Sequence, residues 1–360
     1  MCKKILIINQ GYIRNNLGDQ AIRVALNKYF KEKYYEIEWS FLTKPSSIKE
    51  ALPKENYIVN ERVETQKRVT NILFVVAGII KWILLNISHI KRKCKNEYDY
   101  VIIGGGQLFN SSNSYYPHSF SYSIFLWTFF SKKYKNKIIF LGIGCNNKFN
   151  FLERYFYKKS LNKASKVICR DIYSSRALLN DFNIISEILP DVAFYDYELI
   201  DSTKTVKEFF SLSIYCYSEF DSNFNKEKIN KEEYYYKWIK ILQNELKEDE
   251  EIHLFSTTST DYNENICFLE HLKEKGLFND RKIVVHDITD LEKLSKLFQR
   301  SRKVLSARMH ALLIAYKSHS ELLVFEISDK LKTFNKEYIS SSASPGLFKQ
   351  KIKKQLDIYF

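Results

Sequence analysis

Short apolar runs with the length of buried strands alternate with amphipathic stretches along the whole chain. Such runs occupy residues 4–9, 100–103, 137–141, 166–169, 187–189, 211–217, 251–255, 282–285, 303–306 and 321–327. Helical patterns separate many of them, at 19–30, 232–246, 290–299 and 330–338. Buried strands joined by helices predict parallel sheets built from right-handed crossovers. The pattern begins again after Asp201, so we predict an α/β fold of two Rossmann-like domains, residues 1–200 and 201–360, with a cleft between them.

The composition is that of a compact globular protein, with 45% hydrophobic residues and only 5 prolines in 360 residues. The formal net charge of +14 indicates an anionic partner: nucleic acid, an anionic membrane surface, or an acidic or phosphorylated substrate. The cations are spread along the chain without a nucleic-acid-binding signature, and aromatic residues such as Tyr234, Tyr235 and Trp238 follow the spacing of a helix face. We therefore predict no nucleic-acid partner.

The six cysteines are scattered singly, without a close pair or a Cys/His cluster. This usage argues against a disulfide framework and a structural zinc site, and it is typical of cytoplasmic proteins. The first apolar run, at residues 4–9, is too short for a signal peptide. We therefore expect a cytoplasmic protein.

A longer apolar segment at residues 71–85 allows three interpretations. Lys81 near its middle argues against a membrane-spanning helix. A buried helix is the commonest explanation for such a segment. The alternative is an interfacial helix that makes a peripheral contact with the inner face of the membrane, because basic residues beside an apolar face suit anionic lipid. Those flanking residues are Lys67, Arg68, Lys91, Arg92, Lys93 and Lys95.

The residues that follow the predicted strands suggest a binding site, because ligands of parallel α/β sheets bind at the carboxyl ends of the strands. These positions are Asn16, Gly18, Asp19, Gly104, Gly105, Gly106, Gln107, Gly142, Gly144, Arg170, Asp171, Asp191, Arg308 and His310. Singly, Asp19 and Asp171 are explained as helix caps and the glycines as tight turns. Together they carry glycines, carboxylates and cations on the same edge of both predicted sheets.

Arg308 and His310 lie between a short strand and an apolar helix, so they are expected at a helix N-terminus, which favours an anion. The pattern predicts a pocket for a small molecule with a phosphate or carboxylate group. The alternative is that Arg308 pairs with a nearby carboxylate and His310 is half-buried. The glycines at 104–106 lack the third glycine of a dinucleotide-binding loop, and no Walker A sequence is present.

In an ordered set of short motifs, the chain resembles the polysaccharide pyruvyl transferases. These enzymes use phosphoenolpyruvate to place a pyruvate ketal across two sugar hydroxyls. The motifs are residues 16–22, 104–106, 142–144, Arg170-Asp171 with Ser174 and Leu178, 190–194, 308–311 and Lys330. The chain departs from the family pattern where Val192 follows Asp191, at residues 317–321 in place of a Gly-x-Pro, and in lacking a clear tyrosine before Lys330.

The resemblance implies a GT-B-like arrangement of the two domains, with the acceptor on the first and phosphoenolpyruvate on the second. It also implies that Arg308, His310 and Arg170 bind the donor. Arginine forks suit its phosphate and carboxylate, and Lys330 is a further candidate for these anions. His310 would transfer a proton, and Asp19 or Asp191 would orient or deprotonate an acceptor hydroxyl. The remaining candidate substrate contacts are Asn16, Gly18, Gly104, Gly105, Gly106, Gln107 and Gly144.

The function implied is transfer of pyruvate from phosphoenolpyruvate to a sugar of a cell-surface polysaccharide, such as a capsule or exopolysaccharide, or to its precursor. The acceptor would be a glycan, a sugar nucleotide or a lipid-linked saccharide. No cofactor or metal is expected, because cationic side chains can carry the charge stabilisation. Two alternatives stay open: a GT-B-type glycosyltransferase that uses a sugar nucleotide, and a non-catalytic relative that binds a glycan or an anion.

Overall fold

The computed structural model describes residues 3–9, 16–43, 72–112, 114–198, 206–288, 290–340 and 343–360. The chain divides into two units, the first formed by Met1–Gln10 and Phe30–Leu189 and the second by Gly11–Tyr29 and Pro190–Phe360. The predicted junction between residues 200 and 201 lies outside the described residues, as does Asn71 at the start of the apolar segment.

The first unit contains one parallel sheet with the strand order β2-β1-β3-β4-β5-β6. Its strands are β1 (Lys4–Asn9), β2 (Glu36–Phe41), β3 (Tyr100–Phe109), β4 (Ile138–Cys145), β5 (Lys166–Cys169) and β6 (Glu187–Ile188). The chain forms β2 on one side of β1 and then crosses to β3 on the other side. In such sheets a ligand binds at this reversal, beside the ends of the two strands.

Five helices occur among the described residues up to position 189, and four of them connect β2 through to β6. They are α1 (Leu17–Glu32), α2 (Ile72–Lys95), α3 (Ser119–Lys133), α4 (Phe151–Leu161) and α5 (Ile172–Phe182). Helices α2 to α5 contribute to one apolar core with the sheet, around Trp127, Phe140 and Tyr157. Helix α1 begins in the second unit, and Leu17 N donates a hydrogen bond to Thr257 O at 3.1 Å.

The glycines predicted as loops after two strands are part of the strands themselves. Gly104–Gly106 lie within β3, and Gly142 and Gly144 lie within β4. The prediction was wrong because glycine weakens an isolated strand, whereas β3 is paired on both sides, with β1 and β4. Asn9 also donates a side-chain hydrogen bond to Gly104 O at 2.8 Å, so the backbone at this position is held by a neighbouring strand as well.

The second unit contains a parallel sheet with the order β11-β10-β7-β8-β9. Its strands are β7 (Phe209–Ser213), β8 (Glu251–Leu254), β9 (Ile283–Val285), β10 (Ser301–Ser306) and β11 (Glu321–Val324). The helices are α6 (Tyr217–Asn223), α7 (Lys231–Glu245), α8 (Ser259–Glu274), α9 (Leu291–Arg300), α10 (Met309–Lys317), α11 (Asp329–Phe334) and α12 (Pro345–Tyr359). From β7 the chain adds β8 and β9 on one side of the sheet and then crosses to add β10 and β11 on the other side of β7. The predicted α/β fold with two Rossmann-like units is thereby confirmed.

Helix α2 is not the buried helix that its apolar sequence favoured. Only its inner side packs on the unit, where Ile90 and Cys94 join the core and Trp82 Nε1 donates to Thr43 O at 2.7 Å. Phe74 and Leu84 on the outer side are 75% and 69% exposed. By length and composition, Phe74–Lys95 is the one helix in the described part of the chain that could cross a bilayer.

Candidate functional site

The reversal point of the second sheet lies between the carboxyl ends of β7 and β10. Arg308 follows β10 and is the N-cap residue of α10, while Tyr215 follows β7. Ser306 Oγ accepts a hydrogen bond from Arg308 N at 3.0 Å, which fixes the turn between the strand and the helix. The arginine that the sequence singled out therefore lies where this sheet is expected to bind a ligand.

Two carboxylates surround the Arg308 guanidinium. Asp261 binds it in a bidentate pair, with Oδ2 2.7 Å from Nε and Oδ1 2.8 Å from Nη2. Glu219 Oε2 lies 2.9 Å from the same Nη2, and the guanidinium stands 4.1 Å above the centre of the Tyr215 ring. The charge of Arg308 is thus more than balanced, which matches the alternative that it pairs with a nearby carboxylate.

These contacts explain the protonation of the cluster. Burial works against a charged Arg308, but the Asp261 carboxylate raises the pKa of the guanidinium and keeps it protonated. Burial would likewise raise the pKa of Glu219, yet the Arg308 cation holds that pKa below its usual value. Asp261 is fully buried, so removal of the arginine would leave a carboxylate without its main counter-charge.

The first turns of α8 hold this cluster in place. Thr258 Oγ1 caps the helix at Asp261 N, and Asp261 Oδ1 also accepts from Cys216 N at 3.1 Å. Further along the helix, Asn265 Oδ1 accepts from Ile214 N at 2.9 Å. The polar residues of α8 therefore fix the loop that follows β7. Sequence reasoning missed Asp261 and Glu219, because neither belongs to a recognisable motif.

His310 forms the second feature of the site. Its Nε2 lies 3.3 Å from Asp191 Oδ2, and both side chains are largely buried, at 13% and 3% exposed. The other carboxylate oxygen of Asp191 accepts from Ala193 N at 3.1 Å. Tyr338 OH lies 3.3 Å from Asp191 N, from which it accepts a hydrogen bond. Such an imidazole–carboxylate pair can accept and release a proton during a reaction.

Gly18 packs directly against the His310 ring. A methyl group at this position would overlap Nδ1 of the imidazole and lie 2.7 Å from Cγ, so only glycine fits without displacing the ring. Asn16 Oδ1 accepts from Gly18 N at 2.9 Å, and Asp19 lies in the same first turn of α1. The N-terminus of α1 therefore meets the N-terminus of α10 at His310. Two helix N-termini at one point favour an anion there.

The first unit places Arg170 and Gln107 together. Arg170 follows β5 and is 1% exposed; its Nη2 donates to Gln107 Oε1 at 2.7 Å. Its Nε lies 3.4 Å from Asp171 Oδ2, while the other oxygen of Asp171 caps α5 at Ser174 N. Gln107 Nε2 in turn donates to Asn146 Oδ1 at 2.7 Å. An amide network thus orients this arginine.

Gly144 allows the close approach of these two side chains. A methyl group at Gly144 would lie 2.6 Å from Arg170 Nη2 and would overlap Gln107 Oε1. Gly105 and Gly106 in β3 have φ angles of 79° and 84°, in the left-handed region that favours glycine. The glycines of the predicted substrate contacts therefore serve strand geometry and close packing.

Lys330 lies near the same edge of the second sheet, whereas residues 317–321 lie at its opposite edge, between the end of α10 and the start of β11. Lys330 is in the first turn of α11, after β11, the strand next to β10. In residues 317–321, where the sequence differs from the family pattern, Lys317 Nζ binds Asp196 Oδ2 at 2.9 Å and His319 has a φ of 56°. His319 thus takes a conformation usually filled by glycine where α10 ends. Over the described residues, no group of three or more His, Cys, Asp or Glu could hold a metal ion.

The fold and the sheet edges define a class of two-unit Rossmann-like proteins that includes sugar-nucleotide enzymes. An S. aureus MnaA–UDP structure aligns with 99% of this chain and 88% of its own, with 14% identity and a TM-score of 0.53. The Methanocaldococcus jannaschii UDP-GlcNAc 2-epimerase in complex with UDP-GlcNAc and UDP aligns over 99% and 92%, with 14% identity and a TM-score of 0.51. A Rickettsia africae glycosyltransferase aligns over 98% and 92%, with 12% identity and a TM-score of 0.52. At these identities, the similarity shows the fold alone.

The sequence places the chain more narrowly. Residues 16–327 match the family model of the polysaccharide pyruvyl transferases, so the chain belongs to that family. The resemblance seen in the motifs is thereby confirmed. No curated protein matches the chain closely enough to count as a relative.

Proposed function

We propose that the protein transfers pyruvate from phosphoenolpyruvate to a sugar of a cell-surface polysaccharide or its precursor, forming a pyruvate ketal and releasing phosphate. The observation that carries this proposal is the His310–Asp191 pair at the meeting point of the α1 and α10 N-termini. Such a point can bind an anion and transfer a proton beside it. Membership of the pyruvyl transferase family supports the choice of reaction.

The reaction forms two C–O bonds and breaks one. Each of two sugar hydroxyls forms a bond to C2 of phosphoenolpyruvate, and the bond from C2 to the phosphate oxygen breaks. Of the two hydroxyl protons, one ends on C3, which becomes a methyl group, and the other leaves with phosphate. We assign the proton transfer to His310, because Asp191 stabilises the imidazolium that forms when the ring accepts a proton. Asp19 is the candidate for orienting an acceptor hydroxyl, with Asp191 as the second candidate.

The donor's phosphate and carboxylate require cations, and we assign them to Arg170, Arg308 and Lys330. The guanidinium groups of the two arginines have different contacts. Asp261 and Glu219 already occupy the Arg308 guanidinium, so an anion at Arg308 would compete with two carboxylates. Arg170 donates to the neutral amide of Gln107 and pairs with the Asp171 carboxylate at 3.4 Å.

The direct test is to incubate the protein with phosphoenolpyruvate and a panel of glycans, sugar nucleotides and lipid-linked saccharides. Mass spectrometry should detect one added pyruvate ketal, and phosphate release should depend on the acceptor. His310→Asn should lower kcat by roughly 10²–10⁴-fold with an unchanged thermal melt. His319→Asn serves as the control, because His319 lies after the same helix and contacts Tyr197. An unchanged kcat in folded His310→Asn would disprove the proton-transfer role.

The donor assignment has its own measurement. A folded Arg308→Ala protein that binds phosphoenolpyruvate as tightly as the wild type would remove Arg308 from the donor site. The same measurement on Arg170→Gln tests the other arginine. Because the two substitutions lie in separate units, each result stands on its own.

The second candidate function is a glycosyltransferase or related enzyme that uses a sugar nucleotide. The observation in its favour is the fold shared with the MnaA–UDP structure. It predicts that a nucleoside diphosphate raises the Tm of the protein and phosphoenolpyruvate does not, whereas our proposal predicts the reverse. Binding of ligands without phosphate release over the whole acceptor panel would instead indicate a non-catalytic relative.

A further inference from the structure

The outer surface of the first unit combines exposed apolar side chains with positive charge. On α2, the large apolar residues Phe74, Val76, Ile80, Leu84 and Leu85 are 75%, 48%, 51%, 69% and 63% exposed. Phe74 and Leu85 lie on one side of the helix, and Leu84, Ile80 and Val76 continue this exposed apolar surface around about half of its circumference. A group of this size on one helix is unusual for a surface that meets only water.

The neighbouring helices continue this surface. On α3, Phe129 is 42% exposed and its ring centre lies 6.1 Å from that of Phe125. Phe125 contacts Phe156 of α4 at 5.3 Å, and Lys163 Nζ stands 5.2 Å from the centre of the Phe125 ring. Aromatic rings with lysine ammonium groups beside them are typical of protein surfaces at a membrane interface.

The charged residues of the helices that form this surface are mainly basic. Helices α2 and α3 contain seven lysines and arginines and no aspartate or glutamate. The sole carboxylate of α4 is Glu153, which is fully buried and accepts from the backbone N–H groups of Asn150, Ser112 and His118. In contrast, the helices of the second unit carry both signs, as in the pairs Lys296–Glu292 and Lys275–Glu232. From neighbouring elements, Glu38 pairs with Lys93 and Asp181 pairs with Arg154, and the other cations of α2, α3 and α4 leave a positive field over these helices.

The packing of α2 decides how this surface can meet a bilayer. Ile90 and Cys94 are in the core of the first unit, and Asn86 is buried with its side chain bound to Trp82 O at 2.8 Å. The helix could cross a membrane only by leaving this core. Its exposed apolar residues lie between Phe74 and Leu85, with Lys81 among them, and Lys91, Arg92 and Lys95 follow near the end of the helix. This arrangement suits a helix that lies on the bilayer, with Phe74 in the acyl region and the basic end among lipid headgroups.

We propose that the outer face of α2, with the adjacent face of α3 and α4, docks on an anionic lipid bilayer. Charge complementarity selects this occupant over a second copy of the chain, because two copies would bring identical positive surfaces together at a net charge of +14 each. The docking goes beyond the proposed reaction and does not depend on it. It would hold the protein where saccharides linked to lipid are found.

The test is co-sedimentation of the full chain with vesicles of phosphatidylglycerol or of phosphatidylcholine at physiological salt. The wild type should bind phosphatidylglycerol vesicles about tenfold or more tightly than phosphatidylcholine vesicles. The Leu84→Ser/Leu85→Ser variant should lose about tenfold or more of this binding, because it removes apolar surface that enters the acyl region. A Lys91→Gln/Arg92→Gln/Lys95→Gln variant should lose a similar factor, and its remaining binding should depend less on salt than that of the wild type.

Matched controls are available on α12. Ile358 is 67% exposed, like Leu84, and Lys351, Lys353 and Lys354 are exposed on the same helix. Ile358→Ser and the triple lysine-to-glutamine variant should bind vesicles like the wild type. The proposal fails if the wild type does not bind phosphatidylglycerol, or if the α2 variants bind as well as the α12 controls. A dimer that Leu84→Ser/Leu85→Ser dissociates, without vesicle binding, would instead assign the surface to a second copy. Turnover of a water-soluble acceptor should be the same in all variants, which separates this test from that of the reaction.

Discussion

Arg170 and Arg308 follow the carboxyl ends of strands in two different sheets, and the short contacts of their guanidinium groups differ. Arg308 makes three short contacts with the carboxylates of Asp261 and Glu219. Arg170 donates to the amide oxygen of Gln107 at 2.7 Å and pairs with the Asp171 carboxylate at 3.4 Å. An arginine after a parallel strand can therefore be held in different ways. Arg308 holds a loop together through ion pairs with two crossover helices, whereas Arg170 is oriented by the amide of Gln107.

The largest expected effect is on stability. Arg308→Ala leaves the buried Asp261 carboxylate without its counter-charge, so the free energy of unfolding should fall by about 3–5 kcal/mol. Urea unfolding at neutral pH measures this loss. The double variant Arg308→Met/Asp261→Asn should recover part of it, because the buried charge is removed together with its partner.

Arg302 provides the control for this prediction. It binds Glu250 with two contacts of 2.6 Å, and both side chains are largely buried. Arg302 lies near the start of β10, at the opposite end of the strand from Arg308. Arg302→Ala should therefore cost stability without changing phosphoenolpyruvate affinity. If Arg308→Ala also left this affinity unchanged, the role of Arg308 would be structural.

The second effect concerns Arg170 and is mainly on the reaction rather than on stability. Arg170→Gln removes the donor to the Gln107 amide, so we expect a loss of about 1–3 kcal/mol in the free energy of unfolding. The kcat/KM for phosphoenolpyruvate should fall by about tenfold or more, because a charge-assisted contact with the donor is lost. Gln107→Leu should reproduce part of the kinetic loss through misorientation of the arginine. A destabilisation as large as that of Arg308→Ala would contradict the contrast between the two sites.

The two glycines beside the sites provide a third comparison. Gly144→Ala would push Arg170 away from Gln107, and Gly18→Ala would press on the His310 ring. Each overpacking substitution should cost about 1–3 kcal/mol in stability. Gly144→Ala should mainly raise the KM for phosphoenolpyruvate, whereas Gly18→Ala should mainly lower kcat, because it displaces the proposed proton carrier. Gly346→Ala is the control, since the nearest atom to an added methyl is 3.6 Å away.

The sequence was sufficient for most of the fold. Each apolar run predicted as a strand contributes residues to a strand of the structure, because a buried parallel strand needs apolar residues on both faces. Strand β2 was missed: its sequence, EIEWSF, alternates charged and apolar residues, as suits an edge strand. The burial of α2 was also mispredicted, since an apolar sequence does not reveal which side of a helix finds a packing partner.

For the site, the sequence predicted which residues belong to it better than it predicted which side chains contact them. The motifs led to Gly18, His310 and Asp191, which the fold brings into contact. The carboxylates of Arg308 could not be found in this way, because they are 47 and 89 positions away along the chain. Such pairs depend on how crossover helices return to the sheet edge, and no local spacing encodes that.

The smallest effect is the response of the two sites to acid, and its sign follows from Glu219. The folded-state pKa of this carboxyl is lowered, against the opposing effect of burial, by the Arg308 cation. The stability that it contributes is therefore fully present above its unfolded pKa of about 4.5 and is lost as the pH falls through the lowered folded value. Glu219→Gln should flatten the decline in the free energy of unfolding on acidification below that pH. Gln107→Leu should leave the decline unchanged, because the amide beside Arg170 does not titrate. If the free energy of unfolding declined equally with falling pH in the wild type and in Glu219→Gln, the carboxylate of Glu219 would not contribute to the stability of the Arg308 cluster.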